Sequence, residues 1–111
     1  MTGRILADLG AEVVRIEPPD GDPLRIVGPL LGTHGEGGRS LRFAAWSAGK
    51  KSVVASADSA ELRALLLGAD VVLETPGWPG AFTLDPSSAP QAVWVRVTAF
   101  GATGPRAGWR G

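Results

Sequence analysis

Four short runs rich in β-branched residues, Val13–Ile16, Ser52–Ser56, Val71–Leu73 and Val93–Val97, alternate with segments whose apolar residues recur at helical spacing. Three such helical segments precede the first three strands, so the chain reads helix, strand, helix, strand, helix, strand, strand. That alternation is the pattern of an α/β fold built on an open, mostly parallel sheet with flanking helices. Ligands in such sheets collect where the carboxyl ends of the strands open into loops. Here those ends are Glu17, Ala55 to Asp58, Glu74-Thr75 and Thr98 to Gly101. A chain opening on a helix lacks the strand that should come before it, and one stopping at Gly111 stops inside a loop. The reading is therefore an incomplete large domain.

Local signals set the element boundaries. Ile5, Leu6 and Leu9 give a helix over 2–9, with Gly10 where a left-handed cap would sit. Residues 18–38 are dense in Gly and Pro and read as one long surface loop that propagates neither helix nor ladder. Ser40 to Ser47 reads as a short helix closed by Gly49. Asp58 or Ser59 caps the next helix, with Glu61 in its first turn, Leu62, Leu65 and Leu66 as its buried stripe and Gly68 as its stop. Thr75 to Pro90, with four Pro, reads as another loop, and the tail after Val97 is rich in Gly. The four Trp residues read mostly as core or loop anchors. Only Trp109, between Arg106 and Arg110, is placed to face a ligand or partner.

Composition then narrows the chemistry. Eleven basic and eleven acidic residues leave no cationic surplus for nucleic acid or an anionic membrane. With no Cys and a single His, disulfides, thiolate metal sites, Cys nucleophiles and multi-His centres are excluded within this sequence. No stretch reaches the roughly 18 uninterrupted apolar residues of a membrane span. Met1 to Ile5 lacks the pattern of a secretory signal, so the expected compartment is the cytoplasm. Chemistry is left to carboxylates, hydroxyls, arginines and backbone amides.

Several candidates carry two readings each. The glycine cluster 'GTHGEGG' over 32–38 has no GxxxxGK[ST] and does not open a helix after a strand, so a surface loop is favoured over a phosphate cradle. His34 within it is an acid–base group or a solvated loop histidine. Glu17 is a ribose-hydroxyl acceptor at a strand end, or a solvated carboxylate closing the strand, paired with Arg25. Lys50 and Lys51 neutralise a ligand phosphate at the sheet's edge, or are ordinary surface charges. No nucleophile–base pair, metal set or carboxylate dyad follows from spacing.

In order, 'RILADLGAEVVRIEPPDGDPLR', 'SAGKKSVVAS', 'GADVVLETPGWPGA' and 'VWVRVTAFGATGP' resemble the family III CoA-transferases. That group includes formyl-CoA and carnitine CoA-transferases and α-methylacyl-CoA racemase. The resemblance implies a Rossmann-like domain, of which residues 1–111 form a single partial N-terminal domain, and an interlocked homodimer. It implies CoA or acyl-CoA as substrate, with no prosthetic group, and a carboxylic acid as the other reactant. Transferases of the group use an aspartate that attacks the acyl thioester, and the racemase branch uses a His–Asp acid–base pair. Both sets are expected beyond the tail block, so no catalytic residue is assigned here. The CoA-touching positions carried over are Pro18; Ala55, Ser56, Ala57 and Asp58; Thr75, Pro76 and Gly77; and Arg110. Pro18 stands where a basic residue is frequent, and Thr75-Pro76 where an Asn–aromatic pair is usual, which implies weaker contact. 'FTLDPSSAPQA' is too short and Pro-rich for the helix the family places there. A non-catalytic CoA- or nucleotide-binding module completed by a partner chain is the alternative function, beside a fragment of the racemase branch.

Overall fold

The computed structural model describes residues 1–32, 38–78 and 81–109. The chain divides into two compact units, Met1–Ser56 and Ala57–Gly111. Each unit is organised by one parallel two-stranded ladder, which places the fold in the α/β class.

In the first unit, helix α1 (Thr2–Asp8) precedes strand β1 (Val14–Glu17). Gly10 follows α1 at φ 96°, a left-handed conformation that glycine adopts without steric cost. The apolar stripe expected on this helix exists but is not covered. Ile5 and Leu9 are exposed, and α1 holds no buried residue. Strand β1 pairs in parallel with β4 (Lys51–Val54), Val14 opposite Lys51 and Glu17 opposite Val54. The second strand thus ends two residues earlier than its sequence pattern indicates. The ladder is extended at its carboxyl end by the Ala55 amide, which donates to the Glu17 carbonyl (3.0 Å).

The long segment between these strands is more ordered than its Gly and Pro content implies. Pro23–Ile26 forms a 3-10 turn, and β2 (Leu30–Leu31) pairs antiparallel with β3 (Arg39–Ser40). The expectation of a loop without helix or ladder is therefore corrected. Asp22 caps the turn by accepting from the Leu24 amide (2.7 Å), and Pro23 occupies the first turn position, where its missing N–H costs nothing. Ladders of two residues have no periodicity to read in sequence. Helix α2 (Leu41–Ser47) follows. The Ser40 hydroxyl accepts from the Phe43 amide (3.1 Å) and donates to the Val27 carbonyl (2.6 Å), tying the helix start to the preceding segment.

In the second unit, α3 (Ala60–Leu67) is capped by Ser59, whose hydroxyl accepts from the Leu62 amide (3.2 Å); Asp58, the other candidate, lies outside the cap. Leu62 and Leu66 are buried and Leu65 is half-buried. Strand β5 (Val71–Glu74) pairs in parallel with β6 (Val93–Arg96). Their connection contains only a 3-10 turn at Pro86–Ser88, as the Pro-rich sequence indicates. This turn packs on α3, and Ala89 beside it is fully buried. Gln91 donates from Nε2 to the Leu66 and Leu67 carbonyls (3.0 Å each), satisfying the otherwise orphaned end of α3.

The β5–β6 ladder turns Val72 inward. On the opposite face the paired residues Val71 and Val93, and Leu73 and Val95, are all exposed. Parallel strands are ordinarily covered on both sides, so this ladder carries one layer fewer than the pairing calls for. The second unit leans correspondingly on Leu62, which is 1% exposed. Leu62→Ala is expected to cost about 2–5 kcal/mol and to abolish the cooperative urea transition of this unit, monitored by Trp94 fluorescence. A transition retained at an unchanged midpoint would contradict this account.

Candidate functional site at the strand ends

The carboxyl end of β1 is built around a buried acid. Glu17 is 1% exposed, and its Oε2 accepts from Arg25 Nε (2.6 Å) and the Asp22 amide (3.2 Å). Its Oε1 accepts from Arg25 Nη2 (2.8 Å) and the Ser52 hydroxyl. The hydrogen bonds from Arg25 hold the Glu17 carboxyl below the usual carboxylate range, and those outweigh the opposing effect of burial. Glu17 also holds the Arg25 guanidinium above its ordinary value. The reading of Glu17 as a solvated carboxylate is corrected, while its pairing with Arg25 is observed. With both oxygens occupied from within the protein, Glu17 has no geometry for a ribose hydroxyl. It braces the corner instead.

Pro18 and Ala55 leave this corner side by side, because the Ala55 amide is held to the Glu17 carbonyl. Ala55 is buried and Ser56 exposed. In the second unit, Ala57 and Asp58 form the exposed turn before α3, and Thr75, Pro76 and Gly77 form the turn after β5. The Trp78 amide donates to the Thr75 carbonyl (3.3 Å) and Gly77 sits at φ 80°, so this turn requires the residue without a Cβ. Glu74, at the end of β5, is gripped by Arg96, which also donates to the Leu84 carbonyl (2.8 Å). Glu74 Oε2 is buried with no partner among the described residues. Arg110 lies outside the described residues, as do positions 33–37 with His34.

Other sequence candidates resolve differently. Lys51 pairs with Glu12 (2.9 Å) on an exposed surface, at the amino end of β4 rather than the loop end. Lys50 lies over Gly3, where an added Cβ would meet its Cε at 3.3 Å; burial lowers its amine, with Arg15 and Arg4 adding to the effect. Neither is placed for a ligand at the strands' carboxyl ends. Trp46, Trp78 and Trp109 are exposed, so the expectation of mostly anchored Trp residues is corrected: of the four it is Trp94 that is anchored, its indole donating to the Ala89 carbonyl (3.0 Å). Arg106 stacks on Trp109 at 5.0 Å and Phe100 meets the same ring edge-on at 5.8 Å.

Sequence reasoning missed the arginine–aromatic cluster behind Glu17. Arg25 and Arg15 lie 4.2 and 5.0 Å from the centre of the Phe43 ring. Arg15 pairs with Asp22 and donates to the Ser47 hydroxyl (3.2 Å). Asp22-Pro23, a cap followed by proline, is the signal that could have located the turn presenting Arg25. Among the described residues no group of His, Cys, Asp or Glu is assembled to hold a metal, and no helix is long and apolar enough to cross a membrane.

The model of CoA-transferase family III matches residues 1–111. The chain belongs to CoA-transferase family III. It is 40% identical over 121 residues to a probable CoA-transferase of Mycobacterium tuberculosis, covering 99% of this chain and 14% of that protein. It is 35% identical to a succinate–glutarate CoA-transferase of Agrobacterium fabrum, covering 98% of this chain and 30% of that one. A CaiB/BaiF family protein of Brucella suis, known from its crystal structure, superposes with a TM-score of 0.78 at 34% identity, over 98% of this chain and 32% of that chain. The chain thus spans less than a third of these CoA-transferase family III relatives.

The brace predicts a pH dependence. Glu17 has a folded-state pKa below its unfolded value, near 4.3 for a free Glu. Its stabilisation is therefore complete above that value and is lost as pH falls through the depressed folded one. Glu17→Gln should cost about 1–3 kcal/mol at neutral pH and flatten the fall in stability between pH 5 and pH 3 in urea titrations. An unchanged acid slope in the variant would remove Glu17 from the explanation.

Proposed function

We propose that residues 1–111 supply part of the CoA-binding half of a transferase that moves CoA between carboxylic acids. The observation that carries this reading is the family match along the whole chain, combined with the placement of the expected contact positions on turns at the ends of parallel strands. In the first unit those positions are Pro18, Ala55 and Ser56. In the second they are Ala57, Asp58, Thr75, Pro76 and Gly77, with Arg110 beyond the described residues. Such turns offer backbone amides and carbonyls free of ladder pairing, which suits the amides, hydroxyls and phosphates of CoA.

The chemistry of the complete enzyme would run through an aspartate outside residues 1–111. Its carboxylate oxygen attacks the thioester carbonyl, the C–S bond breaks, and CoA leaves as thiolate with an acyl-aspartyl anhydride behind it. The contribution of this chain is to hold the nucleotide end of CoA. The named relatives are transferases, which supports this branch over a racemase. A further relative, 34% identical, is a subunit of the succinyl-CoA:(R)-benzylsuccinate CoA-transferase of Thauera aromatica, which supports assembly with a further chain; the interlocked homodimer rests on the family resemblance alone. CoA thioesters and the absence of a long apolar helix among the described residues fit work in the cytoplasm.

Titration of the chain with CoA, followed by amide shifts in nuclear magnetic resonance, is expected to move residues 18, 55–58 and 75–77 at millimolar CoA. No saturable shift would overturn the binding role. Incubation with an acyl-CoA and a carboxylate acceptor is expected to give no CoA exchange above blank, and measurable exchange would show that the chain carries its own nucleophile.

A further inference from the structure

The sequence holds two lysines, adjacent at the amino end of β4, and the first unit gives them opposite surroundings. Lys51 is exposed and paired with Glu12 (2.9 Å). Lys50 is half-buried, its side chain laid across Gly3 of α1. A Cβ added at Gly3 would stand 3.3 Å from Lys50 Cε, 3.4 Å from its Nζ and 3.4 Å from Val13 Cγ1, so glycine there leaves the room the amine occupies. The charges facing that amine among the described residues are all positive: Arg15 from β1, Arg4 from α1 and the Met1 amino group before it. The end of α2 beside them brings no acid, and its acceptors go to the arginines. Arg4 donates to the Ala45 carbonyl and Arg15 to the Ser47 hydroxyl (3.2 Å each). The described acids of this unit are engaged elsewhere, Asp8 with Arg4, Glu12 with Lys51, Asp22 with Arg15 and Glu17 with Arg25, while Asp20 lies past the opposite end of the ladder. Burial first, and these cations second, hold the Lys50 amine below its ordinary value.

We propose that Lys50 is an acyl-acceptor site, modified by acyl-CoA thioesters while its neighbour Lys51 is spared. A lysine partly removed from water and set beside other cations has the surroundings that make an amine nucleophilic near neutral pH. In the reaction the neutral Nζ gives its lone pair to the thioester carbonyl carbon and the C–S bond breaks. CoA leaves as thiolate, the nitrogen passes a proton to solvent, and an amide remains. The acyl-CoA is the only co-reactant. Acylation cancels one charge in a cluster of like charges, so the repulsion that primes the amine is relieved by the reaction itself. Lys51 lacks both conditions, being solvated and neutralised by Glu12. The reactivity of Lys50 stands on the first unit alone; the supply of acyl-CoA rests on the CoA-binding reading.

The test incubates the whole chain with acetyl-CoA at a series of neutral to alkaline pH values, and tandem mass spectrometry reads acetylation at Met1, Lys50 and Lys51 separately. Lys50 is expected to be acetylated several-fold faster than Lys51, with a rate that levels off at lower pH. In urea concentrated enough to unfold the chain the two rates should become equal. Arg4→Gln removes one facing cation and frees Asp8 to pair, so it should slow Lys50 and leave Lys51 unchanged, whereas Arg4→Lys, which keeps the charge, should retain the Lys50 rate. Equal rates in the folded chain, a Lys50 preference that survives in urea, or a Lys50 rate indifferent to Arg4→Gln would overturn the site. The CoA titration separates the two readings: a Lys50 preference without CoA-induced amide shifts discards the CoA-binding role alone, and CoA shifts without the preference discard the acyl-acceptor site alone.

Discussion

The buried Glu17 carboxylate is the constraint around which the first unit is arranged. A charge taken out of water is tolerated only when its oxygens are fully partnered, and the partners here come from three places in the sequence. Ser52 comes from the paired strand, the Asp22 amide from the cap of the 3-10 turn and Arg25 from the turn itself. Satisfying one acid therefore fixes strand pairing, turn position and arginine orientation together. Arg25 in turn meets Phe43, so the requirement extends to the start of α2.

The second unit relies on apolar packing more than on charge. Leu62, Leu66, Val72 and Ala89 are its buried apolar side chains among the described residues. Around them the ladder presents an uncovered row of Val and Leu. The solved CaiB/BaiF structure matches this chain over a third of its own length, and parallel pairs are stable when layered on both sides.

The elements legible in the sequence were those with a period or a cap. Strands β1, β4, β5 and β6 announced themselves as β-branched runs, α3 by Ser59 and its leucines, and the ends of α1 and α2 by Gly10 and Gly49. The family followed from four ordered blocks. What stayed hidden was tertiary. The pairing of Glu17 with Arg25 could be read, but that Glu17 is sealed depends also on Ser52, too far along the chain to betray the contact by spacing. The β2–β3 ladder is too short to have a pattern. Lys51 looked available for phosphate because sequence does not show that it stands at the amino end of its strand beside Glu12. The arginine–aromatic cluster escaped for a similar reason, since Arg25 and Phe43 meet only after the segment between them folds back.

That folded-back segment is enclosed by the strand pairing without being part of it. The parallel β1–β4 ladder closes over everything from Pro18 to Lys50, and the entropic cost of such a closure grows only slowly with the length enclosed. Residues between Ile26 and Arg39 can thus be lengthened, shortened or exchanged with little penalty to the ladder or to the turns at its end. The paired strands and the turns at their ends can be inherited unchanged while the segment between them diverges.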